Sequence, residues 1–138
     1  MRSSQAVADA LRTFFARNAS GDVSTFDEVV TVDEGVLAIG SSVREWYAGQ
    51  EAVRGAYGLE GFQIDPGDVV AWENGDTGWA AATPVFSIPG GPSLRLRFTA
   101  VFVREDGLWK LAHLHGSYPV PDETAMSHPE WWDSVVEA

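Results

Sequence analysis

The feature that most constrains this chain is a change in hydrophobic periodicity near its middle. Up to about residue 61 most apolar residues recur at the 3.6-residue spacing of helices, whereas from Phe62 onward they alternate with polar residues. Four alternating runs follow, at about 62–73, 77–88, 93–105 and 108–118. A helical first half and a stranded second half predict an α+β fold, in which helices pack on one face of a sheet.

The first half predicts three helices and one short strand. Apolar residues at helical spacing predict a helix over residues 4–19. Asp22 or Ser24 can cap a second, short helix. The apolar residues 36–39 predict a strand, and residues 49–57 predict a third helix.

Three turn sequences separate the alternating runs. Asn74-Gly75-Asp76 and Asp106-Gly107 are hairpin-type turns, and Pro89-Gly90-Gly91-Pro92 is a turn between the middle two runs. Three successive hairpins predict a meander, which forms a curved antiparallel sheet.

Length and composition indicate one globular domain without covalent cross-links. The 138 residues predict a single domain over 1–138, with a tail at 124–138. In the tail, the capping-box spacing of Ser127 and Glu130 predicts a short helix carrying the pair Trp131-Trp132. The absence of cysteine excludes disulfides, thiolate metal sites and cysteine nucleophiles.

The net charge and the N-terminal sequence limit which partners and which location we expect for this protein. A net charge of −11 repels phosphate backbones and anionic membranes, so we expect neither nucleic acid nor membrane as a partner. The N-terminus lacks the apolar run of roughly 7–15 residues found in signal peptides. We therefore expect a cytoplasmic protein.

Three stretches resemble the SnoaL-like domains of the nuclear-transport-factor-2-like superfamily, in their uncharacterised subgroup. They are residues 45–52 (EWYAGQEA), residues 78–81 (GWAA), and residues 97–117, which end in Trp-Lys-Leu-x-x-x-His-x-Ser. The resemblance covers about residues 5–123, which it implies to be the core of the domain, and it implies a cone-shaped, cystatin-like fold. It differs in the loop after Ile39, which is Gly-Ser-Ser-Val where relatives carry an acidic residue or Asp-Pro. The resemblance therefore indicates no carboxylate for that loop.

The resemblance leaves the activity open. The superfamily includes steroid isomerases, dehydratases, epoxide hydrolases and polyketide cyclases, together with non-catalytic transport and assembly domains. Function must therefore be argued from the pocket.

The last alternating run carries the catalytic candidates. His113 and His115 share their parity with Trp109, Leu111 and Ser117, which predicts one sheet face for all five. We expect His115 to act as a general acid or base, with His113 assisting. The alternatives are histidines that are hydrogen-bonded within the structure or that lie at a dimer face. His-x-His is also a metal-ligand spacing, but no motif places a third ligand, so we predict neither metal nor cofactor.

Aromatic residues are the candidates for ligand contact. The predicted ligand-binding side chains are Trp46, Tyr47, Trp79, Phe98 and Trp109. The plainer interpretation places most aromatic residues in the core.

Two functions fit these observations. The first is binding of a small, largely apolar molecule in the cone, with cofactor-independent isomerase, dehydratase or cyclase chemistry as its catalytic form. The second is a non-catalytic association or regulatory module. Apolar residues on both faces of the run 96–103 predict a homodimer joined sheet to sheet.

Overall fold

The computed structural model describes residues 1–58 and 61–128. Strand β1 (Arg2–Ser3) leads directly into helix α1 (Gln5–Ala19). The Ser4 hydroxyl accepts a hydrogen bond from the Val7 N–H at 3.1 Å and so caps the helix. The predicted first helix is confirmed, and it buries one stripe of side chains: Val7, Ala8, Leu11, Phe14, Phe15 and Asn18.

The rest of the first half consists of short elements. A 3₁₀ turn (Val23–Thr25) runs into helix α2 (Phe26–Val29), and strands β2 (Leu37–Ile39) and β3 (Trp46–Ala48) form a hairpin before helix α3 (Gln50–Ala56). The sequence pattern did not predict β3.

The alternating half forms seven strands and a short helix. The first three predicted runs are each interrupted, at Pro66-Gly67, at Thr83-Pro84 and at Leu96. Proline cannot donate to a strand ladder, which accounts for the first two breaks. The elements are β4 (Gln63–Asp65), β5 (Val69–Asn74), β6 (Thr77–Ala82), β7 (Val85–Ser87), β8 (Ser93–Arg95), β9 (Arg97–Glu105), β10 (Leu108–Ser117) and α4 (Asp122–Met126).

The strands form two sheets rather than one meander. A seven-stranded sheet has the order β1-β5-β6-β9-β10-β2-β3, and a three-stranded sheet has the order β4-β7-β8. The β2–β10 pair is parallel, and the other strand pairs are antiparallel. Asp106 and Gly107 have φ of 52° and 78°, as the hairpin turn between β9 and β10 requires.

The main core lies between α1 and one side of the seven-stranded sheet. We call that side the inner face and the opposite side the outer face. On β9 the buried residues Phe98, Ala100 and Phe102 point to the inner face, while Thr99 and Val101 point outward.

A β-bulge in β10 reverses its alternation. Leu111 lies opposite Phe102 and His113 lies opposite Val101, so Ala112 has no partner on β9. Beyond the bulge, Leu114 and Gly116 pair with inner residues of β9, and His115 pairs with the outer Thr99. The prediction that Leu111, His113 and His115 share one face is therefore wrong, because the extra residue shifts the parity by one.

The predicted helix carrying Trp131 and Trp132 lies outside the described residues. Within the described ranges, no helix is both long enough and apolar enough to cross a membrane.

Candidate functional site

A cavity of about 350 Å³ lies between the inner face, helices α1 and α3, and the β2–β3 hairpin. Apolar and aromatic side chains form most of its wall. The described lining residues are Phe14, Phe15, Asn18, Ala38, Ile39, Gly40, Ser41, Glu45, Tyr47, Val53, Ala56, Tyr57, Phe86, Leu96, Phe98, Leu114 and Gly116.

Three phenylalanine rings from three elements form one wall of the cavity. The ring centroid of Phe15 lies 5.0 Å from that of Phe98 and 6.2 Å from that of Phe86. Gly116 lies opposite Phe98, and a Cβ at that position would be only 2.8 Å from Phe98 Cε2. Glycine at 116 therefore leaves the space that the Phe98 ring occupies.

Two polar lining residues, Tyr57 and Asn18, form hydrogen bonds with other residues of the protein. The hydroxyl groups of Tyr57 and Thr25 form a hydrogen bond of 2.8 Å, and burial raises the pKa of the Tyr57 phenol. Tyr57 is therefore neutral at neutral pH. The Asn18 Oδ1 accepts a hydrogen bond from the Gly58 N–H at 2.7 Å, which fixes the amide.

Glu45 brings a carboxylate to the cavity. It has the same strand parity as Tyr47, and its backbone closes the β2–β3 hairpin by accepting a hydrogen bond from the Gly40 N–H at 2.8 Å. The side chain folds over Gly40, where an added Cβ would lie 2.7 Å from Glu45 Cδ and 2.8 Å from Glu45 Cβ. Only glycine at position 40 leaves room for this arrangement.

The charged residues that line the described part of the cavity are acidic only. Among the described lining residues, Glu45 is the only carboxylate, and none is Lys, Arg or His. No described residue donates a hydrogen bond or forms a salt bridge to the Glu45 carboxylate. In the described ranges, no three His, Cys, Asp or Glu side chains are placed to hold a metal ion.

Of the predicted ligand-contact residues, Tyr47 and Phe98 line the cavity. Trp46 and Trp79 lie on the outer face, where the residues are 63% and 37% exposed. Trp109 is half-buried at the far end of β10, where the Arg104 guanidinium lies 4.5 Å from its ring centroid. The structure therefore does not bring the five aromatic residues together.

The two predicted catalytic histidines lie on the outer face, away from the cavity. His113 Nδ1 is 2.9 Å from the Leu37 carbonyl oxygen. Since a carbonyl can only accept, Nδ1 donates in this contact. His115 is exposed beside Thr99. The His113 contact matches the alternative in which a histidine of this pair is hydrogen-bonded within the structure.

On the outer face, two exposed tryptophans and three half-buried residues form a strip across five strands. Trp72, Trp79, Val101, His113 and Leu37 lie in register from β5 to β2. Trp72 is 36% exposed, so two tryptophans lie side by side on this surface.

A family model described as the SnoaL-like domain matches residues 7–121. The chain belongs to this family. Solved structures agree with the assignment in fold, whereas no curated protein matches the chain. The resemblance seen in the sequence and the predicted fold class are thereby confirmed.

Three solved relatives show what this SnoaL-like protein is similar to. A candidate dehydratase of the NTF2-like family from Streptomyces avermitilis is 25% identical, with a TM-score of 0.74 over 85% of this chain and 96% of that one. An NTF2-like protein of unknown function from Pseudomonas putida is 16% identical, with a TM-score of 0.72 over 86% and 87%. The CaMKII hub of S. rosetta is 21% identical, with a TM-score of 0.68 over 83% and 95%.

Glu45 is the residue of this SnoaL-like site that the sequence pattern did not indicate. The stretch 45–52 that carries the resemblance includes Glu45, but no role was assigned to it there, and relatives carry their acidic residue in the loop after Ile39, where this chain has Gly-Ser-Ser-Val. The signal that could have found it is its parity with Tyr47, since residues two apart on a strand share a face.

Proposed function

We propose that this protein binds a small, largely apolar molecule in the cavity lined by Phe15, Phe98 and Glu45. The observation that carries the proposal is the cavity itself, whose volume of about 350 Å³ and apolar wall suit a small ligand. Few polar groups reach the cavity, so they would orient a ligand rather than supply most of its affinity.

The catalytic form of this proposal is cofactor-independent general acid–base chemistry. Glu45 is the carboxylate among the described lining residues, and a carboxylate that acts as a general acid or base suits an isomerase, dehydratase or cyclase. The similarity to a candidate dehydratase from Streptomyces avermitilis supports that class of reaction. His113 and His115 have no part in this proposal, because they lie on the outer face.

Filling the cavity tests the binding proposal. Ala56 lines the cavity, whereas Ala16 is exposed on α1, so Ala56→Phe and Ala16→Phe add the same ring inside and outside it. The probe is N-phenyl-1-naphthylamine, a neutral dye whose fluorescence rises in apolar sites. We expect saturable binding by the native protein and by Ala16→Phe, and at least about tenfold weaker binding by Ala56→Phe. Equal binding by all three proteins would contradict a ligand site in this cavity.

A second candidate function is association through the outer face. The two adjacent tryptophans Trp72 and Trp79 support it, because exposed aromatic surface of this kind marks interaction sites. The fold similarity to the CaMKII hub is consistent with an assembly role. The proposed occupant is a second copy of this chain, which would cover the two exposed tryptophans with the same strip of its own outer face.

Light scattering coupled to size exclusion tests the homodimer. We expect a dimer of the native protein and a monomer of Trp79→Glu, because the new charge would be buried in the interface without a partner. Ala56→Phe should remain a dimer, since its ring enters the cavity. A native protein that is monomeric at micromolar concentration would remove this candidate.

A further inference from the structure

We infer that the ligand of the cavity carries a basic nitrogen: a small apolar or aromatic molecule with one ammonium group, held against Glu45. The inference rests on the proposed binding function and deepens it by naming the class of ligand. It follows from the charge inside the cavity, from the state of the Glu45 carboxylate and from the aromatic character of the wall.

The charge of the cavity favours a cation. Glu45 is the only acidic residue among the described lining residues, none of them is basic, and burial raises the pKa of the Tyr57 phenol. Charges interact more strongly beside apolar walls than in water. The whole chain adds to this effect, since its net charge of −11 attracts cations.

The Glu45 carboxylate has room for a partner that the protein does not supply. The side chain is half-buried and lies over Gly40, yet no described residue donates a hydrogen bond to it. Other acidic side chains near the first helices are paired, for example Glu28 with Arg17 and Asp27 with Arg54. Burying a carboxylate is costly unless it is paired, so a bound ammonium would offset the partial desolvation of Glu45.

The aromatic residues favour the same class of ligand. Tyr47 lies two residues from Glu45 on the same strand face, so a cation beside the carboxylate would also be near an aromatic ring. Phe15, Phe86 and Phe98 form an apolar wall that can take the body of the molecule. An organic anion fits poorly, because no lining cation would balance its charge and Glu45 would repel it.

Three naphthalene compounds that differ in charge test this inference. They are 1-naphthylmethylamine, 1-naphthalenemethanol and 1-naphthoate, which are cationic, neutral and anionic at pH 7. Their affinities are measured by isothermal titration calorimetry on the native protein, Glu45→Gln and Glu51→Gln. Glu51 is exposed on α3 and does not line the cavity, so Glu51→Gln removes the same charge outside the site.

We expect the native protein and Glu51→Gln to bind the amine at least about tenfold more tightly than the alcohol, and the alcohol more tightly than the acid. In Glu45→Gln the amine and the alcohol should bind equally. Equal binding of amine and alcohol by the native protein would overturn the inference and leave the proposed apolar site intact. Preference for the amine that persists in Glu45→Gln would also overturn it. Failure of all three compounds, together with failure of the neutral dye, would instead remove the proposed function.

Discussion

Replacing Gly78 by alanine tests how closely helix α1 packs on the sheet. Gly78 is buried in β6, and a Cβ there would lie 2.7 Å from Val7 Cγ2 and 3.0 Å from the backbone oxygen of Trp72. The Trp72 oxygen is part of the β5 backbone, and the β-branched Val7 is held in one rotamer on α1. The methyl group can therefore be accommodated only if the helix moves away from the sheet.

The expected magnitude follows from two opposing terms. Overpacking of this kind costs about 1–3 kcal/mol. Alanine also has less freedom than glycine in the unfolded chain, which offsets about 0.4–1 kcal/mol. We therefore expect Gly78→Ala to lower the free energy of unfolding by about 1–2 kcal/mol.

Gly55→Ala is the matched control. Gly55 lies in α3, and a Cβ there would meet no atom within 4 Å. Alanine should stabilise the helix by about 0.5–1 kcal/mol, so the same substitution has the opposite sign at the two sites.

Urea unfolding followed by circular dichroism measures both effects as shifts of the midpoint at constant m-value. In thermal unfolding we expect Gly78→Ala to lower Tm by about 4–8 °C and Gly55→Ala to raise it by about 2–4 °C. A Gly78→Ala protein as stable as the native one would refute the described packing of α1 on β6.

Two further predictions test the bulge and the N-terminal segment. Leu114→Ala should lower the free energy of unfolding by about 1–3 kcal/mol and His115→Ala by less than about 0.5 kcal/mol, because only Leu114 faces the core side. Urea unfolding measures both changes, and a larger loss for His115→Ala than for Leu114→Ala would contradict the bulge. Two hydrogen bonds to the Glu73 carboxylate, the one from Ser4 contributing more than the one from Arg2, hold the pKa of Glu73 below its ordinary value of 4.5. The ionised Glu73 therefore stabilises the fold fully above pH 4.5, and this contribution is lost as the pH falls through the lowered pKa. The stability difference between the native protein and Glu73→Gln should be present at pH 7 and shrink below pH 4.5; a difference independent of pH would show that these hydrogen bonds do not favour the charged form.

Local features of the fold could be predicted from the sequence because single residues determine them. The Ser4 hydroxyl accepts a hydrogen bond from the Val7 N–H in the first turn of α1, and Asp106-Gly107 forms the hairpin turn in the place expected from its sequence. The strand break at Thr83-Pro84 depends on one residue type, since proline cannot donate to a strand ladder, whereas alternation alone predicts a continuous run over 77–88. The single-domain boundaries and the cytoplasmic location stay predictions.

The site could not be predicted because it depends on how strands pair. Alternation in β10 continues through Ala112 in the sequence, and only the register against β9 shows that this residue is extra. A bulge changes the face of every later residue, so the prediction that His115 shares a sheet face with Leu111 is wrong although the strand itself is confirmed. The position of Glu45 over Gly40 likewise depends on a hairpin whose second strand had no clear pattern.

The bulge also decides where polarity enters the cavity. With Ala112 as an extra residue, β10 presents Leu114 and Gly116 to the inner face and the two imidazoles to the outer face. The centre of the sheet therefore contributes an apolar wall, and the carboxylate comes from Glu45, beside β3 at the edge of the sheet. A ligand with one polar group would then lie with its apolar part toward Phe98 and its polar group toward that edge. In this orientation the apolar part of the ligand packs against the phenylalanine rings, and its polar group lies beside the carboxylate of Glu45, the only acidic residue in the described wall.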